Sequence, residues 1–195
     1  MIPKVADERK MIEMLSCSIK SVFASVFFKA SKAYMTSTSN VIDQEKMAII
    51  LQEVCGNRFE NIFYPTFSGV ARSINFYPIH PEKSEDGVVN IAFGLGKYIV
   101  EGGTSLRFSP YYPKNILQLS SAEIALKETQ NKFNALDLNP ESFKPSIDDG
   151  VNILKLPVSS VVNDVSLRYV SSIYDYNNSV LRDTYDPKGK KVITF

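Results

Sequence analysis

The sequence predicts an α+β fold, with a mixed or antiparallel sheet flanked by two helices. Three observations lead there. Residues Asp7 to Met35 and Ser121 to Ala135 space their apolar side chains at the helical period. Short apolar runs of strand length, including Thr66–Tyr77, Val88–Phe93 and Val151–Val158, are bounded by glycine, proline and asparagine. A hydrophobic share of 44% over 195 residues is enough for one core, so 1–195 reads as a single domain.

In chain order, the first helix places Met11, Met14, Leu15, Ile19, Val22, Phe23, Val26 and Phe27 on a 3.6-residue repeat. Lys29 and Lys32 sit near its end, where cations oppose the helix dipole. Thr36–Asn40 is a polar loop, and Met47–Val54 reads as a buried strand ended by Cys55-Gly-Asn57. Thr66–Tyr77 is the second strand, followed by a polar loop from Pro78 to Gly87 and a third strand, Val88–Phe93. Gly94–Gly96 makes a turn into Lys97–Val100, a short helix or strand broken by Gly102-Gly103. Arg107–Leu119 is extended, because Pro110 and Pro113 exclude helix.

Ser120 or Ser121 caps the helix running to Ala135, with Glu123 in its first turn. Residues 136–150 are loop-rich, and Val151–Val158 is a strand. Ser159–Tyr176 fits both periods, and a turn over Asp183–Lys190 precedes a last strand, Lys191–Phe195.

Composition narrows the function. The 22 basic and 21 acidic residues give no electrostatic case for a nucleic-acid partner or an anionic membrane surface. Cys17 and Cys55 imply no disulfide framework and read as buried, inert thiols, and one histidine, His80, excludes a Cys/His zinc site. The first residues lack the pattern of a secretory leader, and no stretch reads as the roughly 18 apolar residues of a membrane span. A cytoplasmic setting with no membrane partner is the resulting expectation.

Two glycine-bearing turns carry the functional signal. Ser68-Gly-Val-Ala-Arg72-Ser73 and Phe93-Gly-Leu-Gly96-Lys-Tyr-Ile-Val-Glu101-Gly102 each join a strand-like run to a turn. Glycine lets backbone approach a ligand closely, and free N–H groups can face phosphate oxygens. In this order the pair resembles the nucleotide-binding half of the phosphoenolpyruvate synthase and pyruvate phosphate dikinase families. Ser21–Tyr34 is similar to their Val-Trp-Ala-Ser-Leu-Phe-Ser helix, and Met47–Gly56 to their Met-Ala-Val-x-Val-Gln strand. The resemblance covers residues 19–113; residues 114–195 read as an extension without likeness.

The resemblance implies an ATP-grasp-like subdomain that binds ATP with Mg²⁺. In those families ATP phosphorylates a histidine on a swivelling domain, which then phosphorylates pyruvate on a barrel domain. Neither domain is legible here, nor is the family's N-terminal lysine lobe. Gly102-Gly-Thr-Ser105 is followed by Leu106, so it is not the phosphohistidine motif. The chain therefore reads as a piece of a larger phosphotransferase whose partners are the nucleotide and those domains. Departures favour an alternative, a non-catalytic interaction or regulatory domain. Lys97 and Asn90 stand in place of the family's acidic residues, and Lys29 or Ala30, in place of its arginine, marks a divergent branch.

By the resemblance, Gln52 and Glu53 hold adenine at a hinge; from the residues alone they end a strand at the surface. Ser68, Gly69, Arg72 and Ser73 lie along the phosphate chain, with arginine's planar fork suited to phosphate oxygens. Gly94 and Gly96 shape the second turn, and Lys97 and Arg107 balance phosphate charge. Asn90 and Glu101 are the candidate Mg²⁺ ligands, offering the oxygens that a hard cation takes. Each also has an ordinary reading as a strand-edge or solvated side chain. His80, in its proline-bounded loop, lacks the setting of a phosphorylated histidine.

Overall fold

The computed structural model describes residues 2, 4, 6–38, 46–139, 141–142, 144, 152–184 and 186–195. Ser39, Asn40, Pro140, Phe143, residues 145–151 and Tyr185, which the sequence assigns to loops, a strand start and a turn, lie outside the described residues. The chain is α+β, built from five short α-helices and three antiparallel sheets among the described residues rather than one sheet. It divides into two compact units, Met1–Val54 with Leu136–Leu154, and Cys55–Ala135 with Lys155–Phe195.

In the first unit the predicted long helix is two, α1 (Glu8–Ser25) and α2 (Lys29–Thr36). Asp7 caps α1, its carboxylate accepting from the backbone N–H groups of Arg9 at 3.0 Å and Lys10 at 3.3 Å. The interruption follows serines that return to the backbone. Ser25 Oγ donates to the Val22 carbonyl at 2.7 Å, and Ser31 Oγ to that of Ser25 at 2.7 Å. Such bonds compete with the helical ladder, and the Val26-Phe27-Phe28 run adds side chains of low helix propensity. Contrary to the sequence expectation, Glu8–Thr36 is long and apolar enough, by length and composition, to cross a membrane, and little of it is buried. Ile12, Phe23 and Phe27 are exposed.

Met47–Val54 is not the buried strand that its apolar run predicts. Lys46–Gly56 has no regular structure and joins none of the sheets, and Ile50 is 88% exposed. A short apolar run does not by itself name a strand, since it also needs a partner to take its backbone groups.

In the second unit, β1 (Asn57–Phe59) and β2 (Ile62–Tyr64) form a hairpin. They continue a sheet of order β1-β2-β6-β7, with β6 Lys132–Asp137 and β7 Ile153–Pro157, strands whose inner ends, Leu136–Asp137 and Ile153–Leu154, are counted with the first unit. A second sheet runs β3 (Ser68–Arg72), β4 (Val88–Ala92), β5 (Leu106–Phe108), with α3 (Lys97–Val100) between β4 and β5 in the chain. β3 stops at Arg72, short of the predicted Tyr77, and β5 gives way to turns and a 3₁₀ turn at Leu117–Leu119.

The helix predicted to Ala135 is α4, Ala122–Glu128, capped as expected by Ser121, whose Oγ accepts from the Ile124 N–H at 3.2 Å. Thr129 turns to extended backbone, and Phe133–Leu136 continue as four buried residues of β6, a run whose apolar content mimics a helix face. The ambiguous Ser159–Tyr176 resolves into both types: α5 (Val165–Arg168) and β8 (Ser171–Asp175). β8 is the centre of the third sheet, between β10 (Lys190–Ile193) and β9 (Val180–Arg182).

The core gathers Tyr64, Phe93 and Phe133, whose rings meet at 4.9–5.3 Å with the tilted and edge-on geometry that ring quadrupoles prefer, over Val161, Leu167 and Ile193. Tyr64 donates its hydroxyl to the Asp164 carboxylate, which also accepts from Ser166 Oγ at 2.5 Å and caps α5. Burial, and then Asp164 beside it, push the Tyr64 phenol well above the usual tyrosine range. Cys55 is exposed and Cys17 half-buried, both free, so neither is the buried thiol that its apolar neighbours predict.

Candidate functional site

The register of the β3-β4-β5 sheet sets the site. Val70 pairs with Asn90, Asn90 with Arg107, Ser68 with Ala92, and Arg72 with Val88. Side chains alternate along a strand and paired residues share a face, so Ser68, Arg72, Asn90 and Arg107 project from one face of this sheet. Four predicted contact residues, from three strands, are thereby brought together. Gly69 falls on the opposite face, and Ser73 lies exposed just past the strand end.

The two glycine turns also meet. Ser68 Oγ donates to the Gly94 carbonyl at 2.7 Å, and a Cβ on Gly96 would lie 3.4 Å from Ser68 Cβ. Gly94 has φ +89°, and a Cβ there would stand 2.9 Å from the Asn134 carbonyl oxygen and from the Phe133 ring. Behind it, the Leu95 N–H donates to that same carbonyl at 2.9 Å. Glycine at 94 therefore answers to β6 of the protein itself, a requirement that sequence reasoning had assigned to ligand approach.

Gln130 is a residue that the sequence did not single out. Its buried amide accepts from the Phe93 N–H at 2.8 Å and donates to the Phe93 carbonyl at 2.8 Å and to that of Lys132 at 2.8 Å. One side chain thus stands in for a neighbouring strand where β4 ends and the turn begins. A lone glutamine after a helix carries no sequence signal for this.

Charge on the face is positive. Arg72 is exposed, and its side chain has no hydrogen-bond or ion-pair partner among the described residues. Arg107 Nη2 donates to Asn75 Oδ1 and to the Tyr77 carbonyl, both at 2.8 Å, and meets no carboxylate among the described residues. Two guanidiniums on one sheet face without an anionic partner among the described residues fit an anion with several oxygens.

The other predicted contacts are placed differently. Lys97 and Glu101, one turn apart on and just beyond α3, pair at 3.5 Å, and Glu101 also accepts from Asn134 Nδ2 at 3.4 Å. The carboxylate expected to hold a metal is thus already engaged. Among the described residues no three His, Cys, Asp or Glu side chains gather to hold a metal ion. Gln52 and Glu53 belong to the first unit, on its exposed irregular segment rather than at a strand end. His80 is exposed in its loop.

Comparison with protein-family models matches residues 4–144 to the pyruvate phosphate dikinase, AMP/ATP-binding domain. That span exceeds the 19–113 of the sequence likeness and takes in α4 and β6. No curated protein and no solved structure matches the chain.

Proposed function

Since the chain belongs to the pyruvate phosphate dikinase AMP/ATP-binding domain family, we propose that the Ser68–Arg72–Asn90–Arg107 face receives the phosphate chain of ATP. The observation that carries this reading is that Arg72 and Arg107 share one sheet face and neither meets a carboxylate among the described residues, while Ser68, at the other end of β3 from Arg72, ties the same face to the Gly94 turn. Arg72 is free to fork onto phosphate oxygens, and Arg107 is held in place by its Nη2 bonds. The finer reading is that of the family likeness: the bound ATP donates its phosphoryl group to a histidine on a separate domain, en route to pyruvate and phosphoenolpyruvate. In-line transfer needs a positioned acceptor, so this chain alone binds nucleotide without turning it over.

Mg²⁺ would arrive on the nucleotide and neutralise phosphate charge, with Asn90 and Glu101 as this chain's oxygen donors. Asn90 is neutral, and Glu101 would have to leave Lys97 to serve. That pairing favours a second reading, a non-catalytic interaction or regulatory domain that keeps the fold.

Calorimetry with ATP, with and without Mg²⁺, tests the proposal on the full chain. Wild type should bind weakly, and Arg72→Ala should weaken binding about tenfold, the worth of a charge-assisted hydrogen bond. Absence of binding at millimolar ATP, or equal affinity in Arg72→Ala, would overturn it. Binding unaffected by Mg²⁺ would favour the second reading.

A further inference from the structure

Asn75 and Glu82 lie in a loop outside both glycine motifs, yet their side chains are buried, Asn75 at 1% exposure and Glu82 at 8%. A buried carboxylate is costly unless hydrogen-bonded. Glu82 Oε2 accepts from Asn75 Nδ2 at 2.9 Å and from the Ile79 N–H at 3.2 Å. With its NH₂ committed to the carboxylate, the Asn75 amide presents Oδ1 as an acceptor. That oxygen takes Arg107 Nη2 at 2.8 Å and the Tyr77 N–H at 3.1 Å. Arg107 Nη2 spends its second hydrogen on the Tyr77 carbonyl at 2.8 Å. Nε and Nη1 donate to no group among the described residues.

The spacing of these groups matters electrostatically. A carboxylate bonded directly to Arg107 would hold it equally well and would cancel its charge. Here the carboxylate stands one amide away. It orients the amide, the amide grips one nitrogen of the guanidinium, and the remaining donors keep their full positive character. We propose that Asn75 and Glu82 are positioning residues for phosphate binding: they anchor Arg107 by Nη2 and leave Nε and Nη1 for phosphate oxygens. This rests on the nucleotide reading above.

The test uses the full chain and two readouts. The first needs no ligand: ¹⁵N relaxation of the Arg107 Nε–H group. It should report an ordered side chain in wild type and a mobile one in Glu82→Gln, which keeps the shape and removes the charge. The second is calorimetry with tripolyphosphate and with ATP. Asn75→Asp, which sets a carboxylate on Arg107, should weaken both about tenfold, and Glu82→Gln about fivefold. In an Arg107→Ala background the same substitutions should change affinity by less than about twofold, because their effect passes through Arg107.

Equal effects in both backgrounds, or unchanged Arg107 Nε–H order in Glu82→Gln, would overturn the positioning role. Should Asn75→Asp unfold the chain, Glu82→Gln decides alone. If wild type binds neither ligand, the nucleotide reading falls and the phosphate role with it, while the anchoring of Arg107 stands or falls on the Nε–H order.

Discussion

Replacing Gly94 by alanine should cost far more than a methyl group normally does, and a second glycine supplies the control. Gly94 holds φ +89°, a conformation that costs an L-residue about 1–2 kcal/mol. The new Cβ would also sit 2.9 Å from the Asn134 carbonyl oxygen and the Phe133 ring, and β6 backbone cannot swing aside as a flexible side chain would. Overpacking of this kind costs about 1–3 kcal/mol. If the turn retreats instead, the Leu95 N–H to Asn134 bond is lost, at about 1 kcal/mol.

The combined expectation for Gly94→Ala is about 3 kcal/mol, which lowers the Tm by about 6–12 °C for a chain of this size. Gly102 has φ +79° but nothing within 4 Å of its Cβ position, so Gly102→Ala should show the backbone term alone, about 1–2 kcal/mol. Urea denaturation of the three proteins measures both. Equal losses in the two variants would refute the claim that β6 is what demands glycine at 94.

Other outcomes follow from the same structure. Gln130→Leu should cost about 3 kcal/mol in urea denaturation, because it strands the Phe93 N–H and carbonyl in the interior and releases the part-buried Lys132 carbonyl. It should also speed exchange of the Phe93 amide by more than tenfold, measured by hydrogen exchange. Asp175 accepts from Asn178, Arg182 and the Asn177 N–H, which hold its pKa down at about 2. Its folded pKa lies below the unfolded value, so its stabilisation of the β8-β9 hairpin is present above about pH 4 and lost as pH falls towards 2. Acid unfolding of Asp175→Asn should accordingly be flatter than that of wild type over this window, and parallel curves would disprove the assignment.

The parts of the fold legible in sequence were those written in local chemistry. Ser121 announces its helix because a hydroxyl there meets an otherwise orphaned N–H, and Gly94 announces its turn because few residues tolerate positive φ. The strands at Ser68–Arg72 and Val88–Ala92 were legible through their flanking turns, and with them the sharing of a face by Ser68, Arg72, Asn90 and Arg107 became a matter of register. Met47–Val54 and Phe133–Leu136 were misread in opposite directions. Apolar content says that a segment wants burial, while only a partner decides whether it becomes strand, helix or neither. Gln130, Asn75 and Glu82 were invisible for a further reason. Each matters through a partner 7 to 37 residues away, and a polar side chain read alone carries no sign of that pairing.

The tie between Tyr64 and Asp164 joins positions 100 residues apart, and the core that it completes draws Val161, Leu167 and Ile193 from well beyond the hairpin in sequence. During synthesis, which proceeds from the N-terminus, the hairpin carrying Tyr64 leaves the ribosome well before its covering residues exist. Tyr64, Phe93 and Phe133 must therefore wait for that cover until β10 emerges. For that interval the nascent chain presents a cluster of aromatic surface to chaperones. A chain stopped before Ile193 would leave the cluster without that cover for good.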